Sequence, residues 1–230
     1  DALKNPKREK IRLLLTRNAE KKLENSIERT GIKTEIVDPK KFNELLDRGS
    51  VHQGAALEVK PLMWGNISDT CGNNDKNSVV LLLDRISDPH NVGAILRSAE
   101  VFGAQAVVGT QRHSAPETGA LAKSASGTLE RQPYLRVNNL SRSIEELKSL
   151  GFVVLGLDGL AEKTINEGIN SFPIGPMAFI LGAEGPGLRD KTKLYCDMLV
   201  KVPSFHGEGS LNVSNAAIIA LYDIRYGRRP

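Results

Sequence analysis

Val79-Val-Leu-Leu-Leu83, followed by Asp84-Arg-Ile-Ser-Asp88-Pro-His-Asn-Val-Gly-Ala-Ile-Leu-Arg97, is the stretch on which the fold class turns. Five consecutive apolar residues suit a strand buried on both faces, as in a parallel sheet. Asp88 is then a natural N-cap and Pro89 a natural first helical residue. Val92, Ile95, Leu96, Ala99 and Phe102 recur at helical spacing and form a buried stripe. His90 and Arg97, seven residues apart, share the opposite face, and Asn91 sits in the first turn. Neither G-x-G-x-x-G nor G-x-x-x-x-G-K-[ST] occupies the strand-to-helix turn, so the ordinary dinucleotide-binding and P-loop readings are weak.

Strand-like runs recur at Ala106–Val108, Phe152–Leu157, Met177–Leu181 and Leu199–Val202. Helical patterns fall between them at 89–102, near 117–130 and at 141–150, and an apolar helix, Val213–Tyr226, closes the chain. That alternation predicts an α/β domain with a mainly parallel sheet over residues 78–230. Upstream, residues 1–60 read as a smaller α/β unit. Its strands are Ile11–Thr16, Glu35–Val37 and Ala55–Val59. Asn18 caps a first helix ending at Gly31, and Asp38-Pro39 opens a second that Gly49 ends. Residues 61–77, rich in Gly, Asn, Ser and Asp, are expected to be a linker.

The composition is that of a globular protein, with 40% hydrophobic and 25% charged residues. No apolar stretch is long enough to cross a bilayer, and no signal-peptide pattern opens the chain. The start at Asp1, not Met, leads us to expect further sequence upstream. Two cysteines, Cys71 and Cys196, show neither metal-ligand spacing nor a disulfide framework, which fits a cytoplasmic or organelle-matrix protein. His52, His90, His113 and His206 are too scattered for a metal site. Residues 1–60 hold 14 Lys+Arg against 10 Asp+Glu, whereas the remaining 170 hold 17 of each. The whole positive excess therefore lies on the first unit, which either helps hold a polyanion or is simply a charge-rich solvated surface.

Two further clusters carry chemistry. Leu181-Gly-Ala-Glu184-Gly-Pro-Gly-Leu188 follows a strand directly, where α/β proteins bind small molecules, and its glycines let the backbone approach a ligand. Val202-Pro203, then Gly207-Glu-Gly-Ser210-Leu-Asn212-Val-Ser-Asn-Ala-Ala217, leads into the last helix. Each element has a plainer reading when taken alone. Arg97 reads as a surface arginine, Glu184 as the exposed tip of a tight turn, and Ser210 or Asn212 as a helix cap.

Together, in this order and spacing, the three clusters resemble the SpoU/TrmH family of RNA ribose 2′-O-methyltransferases, within the SPOUT superfamily. The likeness runs from Val79 to the chain end. Asn5-Pro6 and Val51-His-Gln-Gly54 resemble the small L30e-like RNA-binding domain of the RlmB-like branch, whose members modify a guanosine in 23S ribosomal RNA. The resemblance implies a parallel sheet with a C-terminal trefoil knot and a homodimer in which the last helix meets its partner near the active site. It also implies S-adenosyl-L-methionine as cofactor, held by main-chain groups at Gly182, Val202 and Leu211 with Leu155 and Gly156 nearby, and no metal. The implied catalytic group is Arg97, with Asn91, Glu184, Ser210 and Asn212 positioning it and the ribose. Arginine scarcely gives up a proton, so it acts either as an awkward base or by stabilising the developing alkoxide or a phosphate that takes the proton. Transfer RNA is the alternative substrate to ribosomal RNA, and methylation for antibiotic resistance a third possibility within the class. A non-catalytic RNA-binding or ribosome-assembly protein is the reading from another class. It has no need of all five polar residues.

The final helix, with Ala216, Ala217, Ala220, Leu221 and Ile224, carries more apolar surface than one sheet needs, which is the sequence argument for the dimer.

Overall fold

The apolar run 79–83 becomes the strand β4 (Val79–Asp84), and every one of its residues is buried. Its alternation sends Val79, Leu81 and Leu83 into one core and Val80 and Leu82 into another on the opposite face of the sheet. A strand with two cores must lie inside a sheet covered on both sides. The computed structural model describes residues 1–46, 52–205 and 211–227. It divides into Asp1–Met63 and Trp64–Pro230.

The first unit runs β1 (Lys10–Leu15), α1 (Arg17–Thr30), β2 (Thr34–Ile36), α2 (Pro39–Leu45) and β3 (Ala55–Val59). β1 is central, parallel to β2 and antiparallel to β3. Leu13, Leu15 and Ala19 form its core, with Leu23 and Ile27 of α1 packed on them. The cap of α1 is Thr16, whose hydroxyl accepts from the Ala19 N–H, and not Asn18 as the sequence suggested. Thr16 already has extended geometry and reaches the third helical N–H, so the helix starts two residues earlier. Gly31 ends α1 in the left-handed region, as expected. Asp38 and Pro39 open α2 as expected, but it ends at Leu45, and Gly49 lies outside the described residues.

The second unit begins in the stretch expected to be linker. Asn66 and Asp69 form a reciprocal capping box on α3 (Ile67–Cys71), and Ile67 and Cys71 are buried beside Val80 and Leu82. Two apolar residues at helical spacing outweigh the polar composition around them, so residues 64–77 belong to the second unit and are not a free linker.

After β4 come α4 (Pro89–Val101), β5 (Ala106–Thr110), α5 (Gly119–Ala125), β6 (Tyr134–Val137), α6 (Leu140–Ser149) and β7 (Val153–Leu157). Then follow β8 (Lys163–Thr164), α7 (Ile165–Asn170), β9 (Met177–Gly182), α8 (Asp190–Lys193), β10 (Met198–Lys201) and α9 (Val213–Tyr222). Among the described residues the sheet order is β6-β5-β4-β9-β7-β10-β8, and every pairing in it is parallel. The pattern near 117–130 splits into α5 and a 3-10 turn, Thr128–Glu130, because Ser126 and Gly127 both take left-handed geometry. The closing helix becomes a π-helical turn at Asp223–Gly227.

From β4 the chain runs outward through β5 to β6, then crosses to the other half at β7 and returns to insert β9 beside β4. The boundary between β4 and β9 is the switch point, where the carboxyl ends of an open α/β sheet leave a crevice.

Candidate active site

α4 and the loop after β9 rise from either side of that switch point. Asp88 caps α4 by accepting from the His90 N–H, and Pro89 takes the first helical position. This places Asn91 at the third helical residue, where its side chain is buried. Gly93 then lets α4 lie close to α5, since a Cβ there would meet the Ser124 Cβ at 2.5 Å.

Beyond β9 the chain turns back on itself, with a bridge between Ala183 and Gly187. A Cβ on Gly182 would come within 2.2 Å of the Gly187 carbonyl carbon, so only glycine permits this closure. The turn is anchored by Asp84, the last residue of β4. Its buried carboxylate accepts from the Arg189 Nε at 2.7 Å and from the Arg189 backbone N–H at 3.2 Å. Glu184 is held at the tip.

Three polar side chains from distant parts of the sequence close into one network. The Asn91 Nδ2 donates to Glu184 Oε1 at 3.0 Å. The Asn212 Nδ2 donates to the same oxygen at 2.7 Å and to Asn91 Oδ1 at 2.9 Å. Asn212 also caps α9, its Oδ1 accepting from the Ser214 N–H at 2.9 Å and hydroxyl at 2.6 Å. Each amide oxygen thus accepts a hydrogen bond and each amide nitrogen donates one, which fixes both amide orientations. Asn212 is thus the helix cap that its position suggested, and it also joins the network. Sequence reasoning missed Ser214, although it stands inside the third motif, because a hydroxyl in the first turn of a helix rarely signals more than capping. Glu184 Oε2 has no partner among the described residues, leaving a charged acceptor at the switch point.

Arg97 lies outside the network, six residues and ~9 Å further along the helix axis from Asn91. It is exposed and has no hydrogen bond or ion pair among the described residues. Ser210 lies outside the described residues.

The expected cofactor positions follow the other half of the sheet. Gly182 ends β9 and Val202 directly follows β10, the strands on either side of β7. Leu155 and Gly156 pair with Phe179 and Ile180 on one side and with Met198 and Leu199 on the other. Leu155 is therefore a mid-strand core residue, two positions short of the β7 end. Gly156 is required by packing, since a Cβ would crowd Cys196, Leu199 and Leu188. Leu211 precedes α9 and is exposed, as are Leu160 after β7 and Phe205 after β10. Between β7 and β8, Asp158 accepts from Lys193 Nζ at 2.6 Å and from the Leu160 N–H at 3.0 Å. Burial alone would raise that carboxyl, but these two hydrogen bonds outweigh it and hold it below the ordinary range.

Among the described residues no group of three or more His, Cys, Asp and Glu is placed to hold a metal ion, and no helix is long and apolar enough to cross a membrane.

The model of the SpoU rRNA methylase family matches residues 78–222, the span that carries β4, the network and α9. The chain belongs to this family. The model for the RNA 2′-O ribose methyltransferase substrate-binding domain matches residues 1–64. The 23S rRNA (guanosine-2′-O-)-methyltransferase RlmB of Haemophilus influenzae is 37% identical over 204 residues, covering 87% of this chain and 81% of the relative. RlmB of Pseudomonas putida is 39% identical over 176 residues, covering 75% and 70%. An uncharacterized tRNA/rRNA methyltransferase of Synechocystis is 38% identical over 197 residues, 84% of this chain but half the length of that relative. Among solved structures, the SpoU methyltransferase AviRb of Streptomyces viridochromogenes in complex with AdoMet superposes with a TM-score of 0.80. It shares 23% identity and covers 97% of this chain and 84% of that one. The AdoMet-bound rRNA methyltransferase of Sinorhizobium meliloti gives 0.78 at 18% identity, covering 100% and 84%. At such identities these two speak for the fold, and the SPOUT-type parallel sheet of the second unit agrees with them.

Proposed function

We propose that this protein transfers a methyl group from S-adenosyl-L-methionine to a ribose 2′-oxygen of RNA, with a guanosine of 23S ribosomal RNA as the substrate. The observation that carries this reading is the Asn91–Glu184–Asn212 network at the switch point of the family's sheet. The relatives matched over most of this chain, RlmB of H. influenzae and P. putida, are named for that reaction. The substrate-binding model over residues 1–64, together with the positive excess there, supports an L30e-like RNA-binding role for the first unit and a division of labour between residues 1–60 and 78–230.

The residues present fit the cofactor. The ends of β9, β7 and β10 lie side by side, and exposed Leu160, Phe205 and Leu211 offer apolar cover to a purine. Bound there, S-adenosyl-L-methionine supplies an electrophilic methyl on a sulfonium. Main-chain groups at Gly182, Val202 and Leu211 would hold it, with Leu155 and Gly156 nearby, in the threaded C-terminal loops of the proposed knot.

Ribose attack needs a hydroxyl fixed in line and relieved of its proton. Asn91 and Asn212 hold Glu184 still, so that its free oxygen can orient a ribose hydroxyl. Arg97 stabilises the negative charge that builds on the attacking oxygen or on a neighbouring phosphate, and Ser210 joins the positioning groups. The position of Arg97 outside the network fits an active site completed by a second subunit.

Most of the apolar residues from which the dimer was expected lie inside a single chain. Ala217, Ala220, Leu221 and Ile224 are buried in this chain's own core against α4 and β9, because α9 covers the sheet face around β4. The exposed apolar side of that region is instead Val101, Ile218, Tyr222 and Tyr226, with Phe102 edge-on to Tyr222 at 6.5 Å. This patch is the proposed homodimer contact. A cytoplasmic location follows from the proposed substrate.

The test is transfer of labelled methyl from S-adenosyl-L-methionine to unmodified 23S ribosomal RNA, with ribose methylation mapped by nucleotide. Incorporation at a guanosine 2′-oxygen is expected. Cofactor binding without incorporation into ribosomal RNA, but with incorporation into transfer RNA, would replace the substrate. Failure to bind the cofactor would overturn the reading.

A further inference from the structure

The sheet has a concavity on the half away from the proposed cofactor position. It is a cavity of about 620 Å3 at the carboxyl ends of β4, β5 and β6, closed by the first turn of α6. Its walls include Arg85, Arg112, Arg189 and Lys191 and no carboxylate. Arg189 is matched by Asp84, but Arg85, Arg112 and Lys191 have no ion-pair partner among the described residues. Three unmatched cations around one cavity repel one another, and an anion relieves that repulsion.

Two details mark the cavity as built. Thr110 is 8% exposed, lines the wall, and its Oγ1 is buried without a hydrogen-bond partner among the described residues. An orphaned buried hydroxyl calls for an absent partner. Arg85 takes a left-handed backbone, φ 63°, which is costly for a side chain of this kind and directs the residue out of the β4 end. The rim is rigid as well. The Arg136 guanidinium donates to the carbonyls of Thr110 at 2.9 Å, Gln111 at 2.8 Å and Ser114 at 3.0 Å, and also to that of Ala115. That clamp fixes the loop carrying Arg112.

We propose that this cavity holds a backbone phosphodiester of the RNA strand whose ribose is methylated, receiving it through Arg85, Arg112 and Lys191. The inference rests on the RNA-methyltransferase reading above and adds a place for the substrate to it. With the cofactor on the β9-β7-β10 half and the network at the switch point, the phosphodiester would lie on the far side of the reacting ribose. Arginine suits this task, since its planar fork matches phosphate oxygens.

The experiment uses the full chain as wild type, Arg112→Gln, Arg112→Lys and the double variant Arg85→Asn/Arg112→Gln. Binding of a labelled single-stranded RNA of about twelve nucleotides is followed from about 50 to about 300 mM salt. S-adenosyl-L-methionine affinity and melting temperature are measured beside it. Losing the one phosphate contact should lower the slope of log affinity against log salt by ~0.7, reached in the double variant and in part in Arg112→Gln, with RNA bound several-fold more weakly. Arg112→Lys should keep the wild-type slope, and cofactor affinity should stay constant throughout. If the Arg85 change lowers the melting temperature, Arg112→Gln alone, at an exposed loop position, carries the comparison. An unchanged slope in folded variants that still bind cofactor overturns the cavity's role and leaves the methyltransferase reading standing. A wild type that binds no cofactor overturns that reading, whatever the slope does. An unchanged slope together with wild-type stabilisation by inorganic phosphate, absent in the double variant, would make this a site for free anions and refute the claim for RNA.

Discussion

Glu184 Oε1 accepts two amide N–H groups, from Asn91 at 3.0 Å and Asn212 at 2.7 Å, and that convergence yields a sharp prediction. Glu184→Ala strands both donors. Asn91 is 8% exposed, so water only partly replaces the lost acceptor, whereas Asn212 is exposed and water replaces it readily. A buried donor left unpaired costs ~1–3 kcal/mol, and access from the Glu184 side puts this case near the lower end, ~1–1.5 kcal/mol. For a chain of this size that lowers the melting temperature by roughly 2–6 °C. Asn91→Ala should cost a similar amount. The double variant should cost clearly less than the sum, with a coupling of ~1 kcal/mol. Glu184→Gln keeps an acceptor and should cost under ~0.5 kcal/mol, yet it removes the charge offered to the ribose. Methyl transfer should therefore fall roughly a hundredfold, ~2.7 kcal/mol in barrier, in both Glu184 variants, although only Glu184→Ala is appreciably destabilised. The assays are thermal unfolding of all four corners of the cycle and single-turnover transfer of labelled methyl. Additivity within ~0.3 kcal/mol would mean that the three side chains are neighbours and not a network. A fully active Glu184→Gln would remove the carboxylate's charge from the mechanism.

Arg97→Ala should leave melting within ~0.5 kcal/mol of wild type, as expected for an exposed side chain without a partner. It should slow transfer roughly a hundredfold at unchanged cofactor affinity, and Arg97→Lys should not restore the rate, because a point charge cannot replace the guanidinium fork. Near-normal single-turnover rates would exclude Arg97. Gly93→Ala should destabilise by ~1–3 kcal/mol in thermal unfolding despite alanine's better helix propensity, because its Cβ would sit 2.5 Å from that of Ser124. A stabilised variant would contradict the close approach of α4 to α5. Burial pushes both thiols, Cys71 and Cys196, up to about 11. At pH 8 only about one thiol in a thousand is then thiolate, so iodoacetamide should label the native protein far more slowly than the unfolded chain. Equal rates would show that the thiols are not buried.

The second unit was legible in the sequence wherever local and global signals coincide. Val79–Leu83 suits a strand between two cores, Asp88-Pro89 is a natural helix start, and the structure uses both as read. The sequence was hard to read where tertiary contact overrides composition. Ile67 and Cys71 are two apolar residues in a polar stretch, and only the face of β4 makes them core. Lys163–Thr164 is a strand because β10 offers it an edge, not because its residues favour one. Tyr134–Val137 carries Arg136, whose charge argues against a buried strand until the carbonyls that it clamps are seen. The same difference runs through the site. Asn91, Glu184 and Asn212 could be named because each stands in a motif, but a motif cannot say that two amides share one carboxylate oxygen. Asp84 and Arg189, 105 residues apart, are the reverse case. They carry no motif signal, yet they hold the loop on which Glu184 stands. Removing the Arg189 side chain would leave a 1%-exposed carboxylate with only a backbone N–H, a loss of ~1–3 kcal/mol for a buried acceptor whose cationic partner is itself partly exposed. The network therefore depends on an ion pair that sequence motifs do not reveal, and the residues proposed for the chemistry are easier to read than those that hold them in place.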